Sequence, residues 1–96
     1  MKKVLIIEDE MFVRELYERV IKQAGFEVIT AQDGLSGLEA TQDKPNLILL
    51  DIMLPGLNGI QVLQRLKQDS STREIPVLLL TNLGQEAVIK EGFELG

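Results

Sequence analysis

The stretch that most constrains this chain is Leu47-Ile48-Leu49-Leu50-Asp51-Ile52-Met53-Leu54-Pro55-Gly56, an apolar run carrying one carboxylate and stopped by Pro-Gly. A run of strand length with no polar alternation reads as a strand buried on both faces, the kind found inside parallel sheets. Asp51 then stands at the strand's carboxyl end, where open α/β sheets place their ligands. Asp is also a common loop cap, so the rest of the chain has to decide between the two readings.

The pattern repeats. Lys3-Val4-Leu5-Ile6-Ile7 is a β-branched strand that ends in Glu8-Asp9-Glu10. From Met11 to Ala24 the residues Val13, Leu16, Tyr17, Val20, Ile21 and Ala24 recur at helical spacing, which predicts a helix with one apolar stripe, closed by Gly25. Phe26 to Ala31 predicts a short strand, and Asp33-Gly34 a cap for a second helix to about Gln42. Gly37 weakens that helix by about 1 kcal/mol relative to Ala. Pro45-Asn46 breaks the chain before the central run, and Leu57-Asn58-Gly59 opens a third helix with Ile60, Val62, Leu63 and Leu66 inward, ended by Asp69-Ser70-Ser71-Thr72. Ile75 to Leu80 predicts a fourth strand finishing in Thr81-Asn82, and Gln85 to Leu95 a loosely spaced helix. Strands alternating with helices imply right-handed crossovers and a parallel sheet with helices on both faces.

Composition narrows the chemistry. Ninety-six residues allow one domain, and with no Cys and no His any metal would be held by oxygen. A net charge of −5 with no clustered Lys or Arg argues against a nucleic-acid face or an anionic-membrane face. No apolar run reaches membrane-span length and no cleavable leader is legible, so a cytoplasmic domain is expected.

Glu8 and Asp9 after the first strand, Asp51 after the third and Thr81 after the fourth are therefore expected to converge. Two carboxylates about 5 Å apart repel by about 3 kcal/mol at an effective dielectric near 20, so such a cluster needs a cation or protons to offset it. Oxygen-only ligands select a hard ion, and Mg2+, which takes one or two carboxylates plus phosphate oxygens, suits best. Beside such an ion the Asp51 carboxylate is placed to serve as the nucleophile of an aspartyl-phosphate reaction, with the Thr81 hydroxyl donating to a phosphoryl oxygen.

The stretches V-L-I-I-E-D-E, A-Q-D-G, L-I-L-L-D-I-M-L-P-G-L-N-G, I-P-V-L-L-L-T and G-F-E-L-G together make the whole chain resemble the receiver domain of two-component response regulators. The resemblance implies a flavodoxin-like doubly wound parallel sheet of strand order 2-1-3-4. It implies that Asp51 is the phosphoacceptor, that Asp9 and Asp51 ligate Mg2+ with the Met53 carbonyl, and that Glu8 contributes through water. It also implies that Thr81 moves to the phosphoryl group while Asn82 and the following loop repack, and that Asn82 stands where many receivers carry a small residue. The phosphodonor would be a sensor histidine kinase, a phosphotransfer protein or a small phosphate compound. The domain would be a signalling module assisting its own phosphotransfer rather than a turnover enzyme. A phosphatase with a strand-end Asp nucleophile wants a second Asp where Met53 stands, and a flavodoxin wants a Gly-rich loop where Glu8-Asp9-Glu10 stands.

A receiver ordinarily has five βα units, and residues 1–96 read as a receiver truncated before the fifth strand and helix, without the family's Lys. Two expectations follow. The apolar fourth strand becomes an open edge and the face beside Val13 to Ala24 lies bare, so a homodimer or oligomer is expected. The alternative function is that of a truncated or engineered fragment, impaired in phosphorylation, that self-assembles or complements a missing unit.

Overall fold

The computed structural model describes residues 2–80. The described chain runs β1 (Lys3–Ile7), α1 (Met11–Gln23), β2 (Glu27–Ala31), α2 (Gly34–Ala40), a 3-10 turn (Thr41–Asp43), β3 (Leu47–Asp51), α3 (Gly59–Gln68) and β4 (Val77–Leu80). All strand pairings are parallel, in the order β2-β1-β3-β4, the flavodoxin-like topology expected from the sequence. The helix expected from Gln85 to Leu95 lies outside the described residues.

Period-two alternation splits the two central strands between two cores. Leu5, Ile7, Ile48 and Leu50 point to one face, where they pack with Val62, Leu63 and Leu66 of α3 and Leu38 and Ala40 of α2. Val4, Ile6 and Leu49 point to the other, beneath Tyr17 and Ile21 of α1. Asn58 caps α3 by accepting the Gln61 N–H at 2.9 Å, and Gln61 Oε1 accepts the Asn58 N–H at 2.9 Å, a reciprocal capping box. Beyond α3 the buried Thr72 hydroxyl donates to the Leu66 carbonyl at 2.6 Å, which ties the turn back to the helix before β4.

Of the apolar residues of α1, Tyr17 and Ile21 meet the sheet, while Leu16 and Val20 are 55% and 53% exposed. Three local expectations need correcting. The second helix stops at Ala40 and tightens into the 3-10 turn, and β4 begins at Val77 because Ile75 and Pro76 still belong to the connection. The Pro76 carbonyl nonetheless accepts the Ile48 N–H at 3.0 Å.

The third correction concerns Gly37. Read by propensity it is a weak point of α2, yet it is buried, with the Ile7 side chain filling the place a Cβ would take. A Cβ there would collide with Ile7 Cδ1 and lie 2.8 Å from Ile7 Cγ1, so the missing side chain lets α2 lie close to β1. Gly37→Ala is therefore expected to destabilise by about 1–3 kcal/mol through overpacking, against the sign of helix propensity. Urea unfolding checks it, and a stabilised variant would overturn it.

Candidate phosphoacceptor site

The site is built where β1 and β3 end side by side. The ladders run one residue past each strand: the Glu8 N–H donates to the Ala31 carbonyl at 3.0 Å and the Ile52 N–H to the Leu80 carbonyl at 3.1 Å. Those bonds hold Glu8 and Asp51 to the sheet. Behind Asp51 the buried Gly59 opens α3 against the strand end, its N–H donating to the Ile52 carbonyl at 3.0 Å. In front, the Met53 N–H donates to Asp51 Oδ1 at 3.1 Å, an Asx-type contact that orients the carboxylate.

Of the acidic run Glu8-Asp9-Glu10, only the first two residues join the site. Carboxylate oxygens of Glu8, Asp9 and Asp51 all lie within 4.8 Å of one another, with Glu8 buried, Asp51 half-buried and Asp9 exposed. Glu10 instead caps α1, accepting the Val13 N–H at 2.8 Å. Asp33 of the A-Q-D-G stretch does the same for α2, accepting the Ser36 N–H at 2.7 Å. Loop cap and cluster member are thus both present, at different carboxylates.

The cluster is electrostatically uncomfortable. Burial raises the Glu8 carboxyl to about 7, helped by its hydrogen bond with Asp51 and the charges of Asp51 and Asp9, and opposed by the Glu10 N–H at 3.2 Å. The folded chain therefore keeps a proton that the unfolded chain releases from about pH 4.5 upward. Stability from this group is fully present below about pH 4.5, falls as pH rises toward 7 and is level above. Asp33 and Asp69, held below their ordinary values by the Ser36 and Ser71 N–H groups, act in the opposite sense only at lower pH. Thermal melts in EDTA are expected to give a lower Tm at pH 8 than at pH 5, and Glu8→Gln to flatten that slope. A Tm that rises between those pH values in the wild type would refute the assignment.

The donor set fits a hard divalent cation: three carboxylates, no nitrogen or sulfur ligand, and a charge excess that a cation offsets. They open into a cleft of about 330 Å³ that Glu10, Val13, Tyr17, Met53 and Leu80 also line. A larger cleft of about 650 Å³, lined by Met53, Pro55, Asn58 and Gln61 among others, has Asp9 as the one carboxylate among its described lining residues, so the charge chemistry belongs to the smaller. The sequence did not single out Tyr17 and Leu80 as wall residues, Gly59 as the backing of Asp51, or Arg14, whose Nη1 donates to the Glu8 carbonyl at 2.9 Å. Thr81 and Asn82 lie outside the described residues.

Residues 4–96 match the family model described as the response regulator receiver domain. The chain belongs to the response regulator receiver family. It is 43% identical over 97 residues to the DNA-binding dual master transcriptional regulator RpaA of Synechocystis sp., covering 100% of this chain and 40% of that protein. It is also 43% identical over 96 residues to the phosphate regulon transcriptional regulatory protein PhoB of Escherichia coli, covering 99% of this chain and 42% of that protein. A putative response regulator from Chloroflexus aurantiacus superposes with a TM-score of 0.93 at 33% identity, over 99% of this chain and 79% of the other. The chain thus spans about two-fifths of the length of these curated relatives. As a receiver its class is a signalling domain, and the acidic cluster lies at the carboxyl ends of β1 and β3. Among the described residues no helix is long and apolar enough to cross a membrane.

Proposed function

We propose that this receiver accepts a phosphoryl group on Asp51 from the phosphohistidine of a sensor kinase or phosphotransfer protein. Mg2+ would be held by Asp9, Asp51 and the Met53 carbonyl, with Glu8 acting through water. The observation that carries this reading is the convergence of Glu8, Asp9 and Asp51 within 4.8 Å around a carboxylate already oriented by the Met53 N–H. The match over residues 4–96 supports it over the alternative of a fragment with only an assembling role.

An Asp51 carboxylate oxygen forms the new O–P bond as the donor's P–N bond breaks. The electron pair leaves with the imidazole nitrogen, which solvent then protonates. When bound, the cation offsets the clustered negative charge and gives the phosphoryl oxygens a positive partner. Met53 N–H holds one Asp51 oxygen at 3.1 Å, which limits the carboxylate's rotation and keeps it presented to the cleft. Burial of Glu8 lets the site exchange a proton for the cation near neutral pH. Thr81 as the hydroxyl that meets the phosphoryl group, and Asn82 beside it, rest on the family resemblance. The similarity to the transcriptional regulators RpaA and PhoB supports a place in transcriptional control, and the receiver class supports cytoplasmic placement.

The test is intact mass after incubation with acetyl phosphate. One added phosphoryl group is expected in Mg2+ and none in EDTA. No adduct in Mg2+, or an equal adduct in EDTA, would overturn the proposal. Self-association through β4, the outer strand of the described sheet with Leu78 51% exposed, belongs to the same proposal. Light scattering is expected to give a dimer or larger, and a stable monomer removes that part alone.

A further inference from the structure

Arg14 breaks a local rule. It lies in the first turn of α1, four residues after the cap Glu10, where the helix dipole disfavours a cation. A side chain there leans toward the helix N-terminus, and the Arg14 guanidinium reaches back over the β1–α1 connection. One nitrogen, Nη1, donates to the carbonyls of both Glu8, at 2.9 Å, and Asp9, at 3.3 Å. Among the described residues the ion pairs are Lys22–Glu18 and Arg73–Glu74, and Arg14 is in neither. Arg14 is also not among the groups that displace the Glu8 carboxyl from its ordinary value. Its grip is on the backbone.

We propose that Arg14 is a positioning residue for the divalent-cation site: by tying the Glu8 and Asp9 carbonyls to α1, it fixes the two peptide units that aim the Asp9 carboxylate at Asp51. The inference rests on the reading of Glu8, Asp9 and Asp51 as a cation site. It joins a local cost, a cation at a helix N-terminus, to a gain at the site, and sites are where such local conflicts concentrate. Groups that orient metal ligands through hydrogen bonds typically change metal affinity about 10–100-fold when removed. Both bonds leave a single nitrogen, so a Lys ammonium, with three donors on one nitrogen, is the conservative replacement and keeps part of the contact.

Charge and positioning predict opposite signs. Deleting a positive charge next to a cation site strengthens cation binding through Coulomb attraction, whereas freeing the loop weakens it. The experiment is Mg2+ titration calorimetry on the full chain for the wild type, Arg14→Gln, Arg14→Lys and, as a charge-matched control on the exposed face of the same helix, Arg19→Gln. Melts in EDTA and acetyl phosphate uptake at limiting and saturating Mg2+ accompany it. Arg14→Gln is expected to weaken Mg2+ about 10-fold, Arg14→Lys by less, and Arg19→Gln to leave it unchanged or slightly tighter. Uptake by Arg14→Gln at limiting Mg2+ is expected to fall with the affinity and to recover as Mg2+ is raised, and a loss that Mg2+ does not restore would overturn the positioning role. If Arg14→Gln fails to fold, the Arg14→Lys affinity decides. Unchanged or tighter Mg2+ binding in the folded Arg14 variants overturns the inference alone. A wild type that binds no Mg2+ overturns the cation-site reading and the inference with it.

Discussion

Asp51→Asn is expected to abolish Mg2+-dependent phosphoryl uptake from acetyl phosphate while making the metal-free protein more stable. Asn keeps the shape of Asp and an oxygen for the Met53 N–H, so the turn after β3 survives. What it lacks is the carboxylate that forms the O–P bond. The stability gain follows from the cluster. Asp51 contributes two of the influences that raise Glu8, the shared hydrogen bond and the negative charge. Burial, the largest cause, remains, but removing that charge lets Glu8 ionise nearer its ordinary value, so the variant is expected to melt higher than the wild type at pH 8. The conflict that makes the site receptive to a cation is thus a cost in its absence, the usual trade between site and scaffold. Intact mass and a melt in EDTA read the two halves separately. An adduct on the Asn variant would place the acceptor elsewhere. A lower melting temperature than wild type would mean that the carboxylates do not repel as argued.

The second large effect is expected at a residue with no chemistry. A Cβ at Gly59 would collide with the Asp51 carbonyl oxygen and stand 2.6 Å from Ile52 Cα and 3.0 Å from the Asp51 carbonyl carbon, all backbone at the end of β3. Side-chain rotation cannot relieve such contacts, so α3 must move off the strand end or β3 must bend. Gly59→Val is therefore expected to destabilise by about 3 kcal/mol or more, at or above the upper part of the overpacking range. For a domain of this size a loss of about 3 kcal/mol lowers Tm by about 12–24 °C. Because the displaced atoms belong to Asp51, whatever folded fraction remains should also bind Mg2+ less tightly. Gly37→Ala is the milder comparison, since its clash is with the Ile7 side chain. A Gly59→Val protein with wild-type Tm and Mg2+ affinity would show that α3 has slack against β3.

Much of this molecule is legible in one dimension. The run Leu47 to Leu50 could only be a strand buried on both faces, and Ile48 and Leu50 indeed face one core while Leu49 faces the other. The spacing of Ile60, Val62, Leu63 and Leu66 after Leu57-Asn58-Gly59 reads directly as a helix, to which the structure adds the reciprocal cap of Asn58 and Gln61. The resemblance carried by D-I-M-L-P-G-L-N-G pointed to the family that the match over residues 4–96 establishes. Asp51 at a strand end was visible for the same reason, since a lone carboxylate in an apolar run stands out in any reading.

What stayed hidden depends on which elements touch. The apolar spacing of α1 is the same for residues that meet the sheet and residues that do not, so only packing separates Tyr17 and Ile21 from Leu16 and Val20. Gly37 looks like a helix weakness and Gly59 like a plain helix start until Ile7 and the Asp51 backbone are seen against them, because propensity counts the chain's own entropy and not its neighbours. The acidic triplet divides by geometry alone: Glu10 turns to the helix it caps, while Glu8 turns inward to within 4.8 Å of a carboxylate 43 positions away in sequence. Sequence determined that carboxylates would gather at one edge of a parallel sheet, through hydrophobic periodicity, which is local. Tertiary structure decided which of them meet and how strongly they repel, because charge and steric exclusion act through space, across segments that lie far apart along the chain.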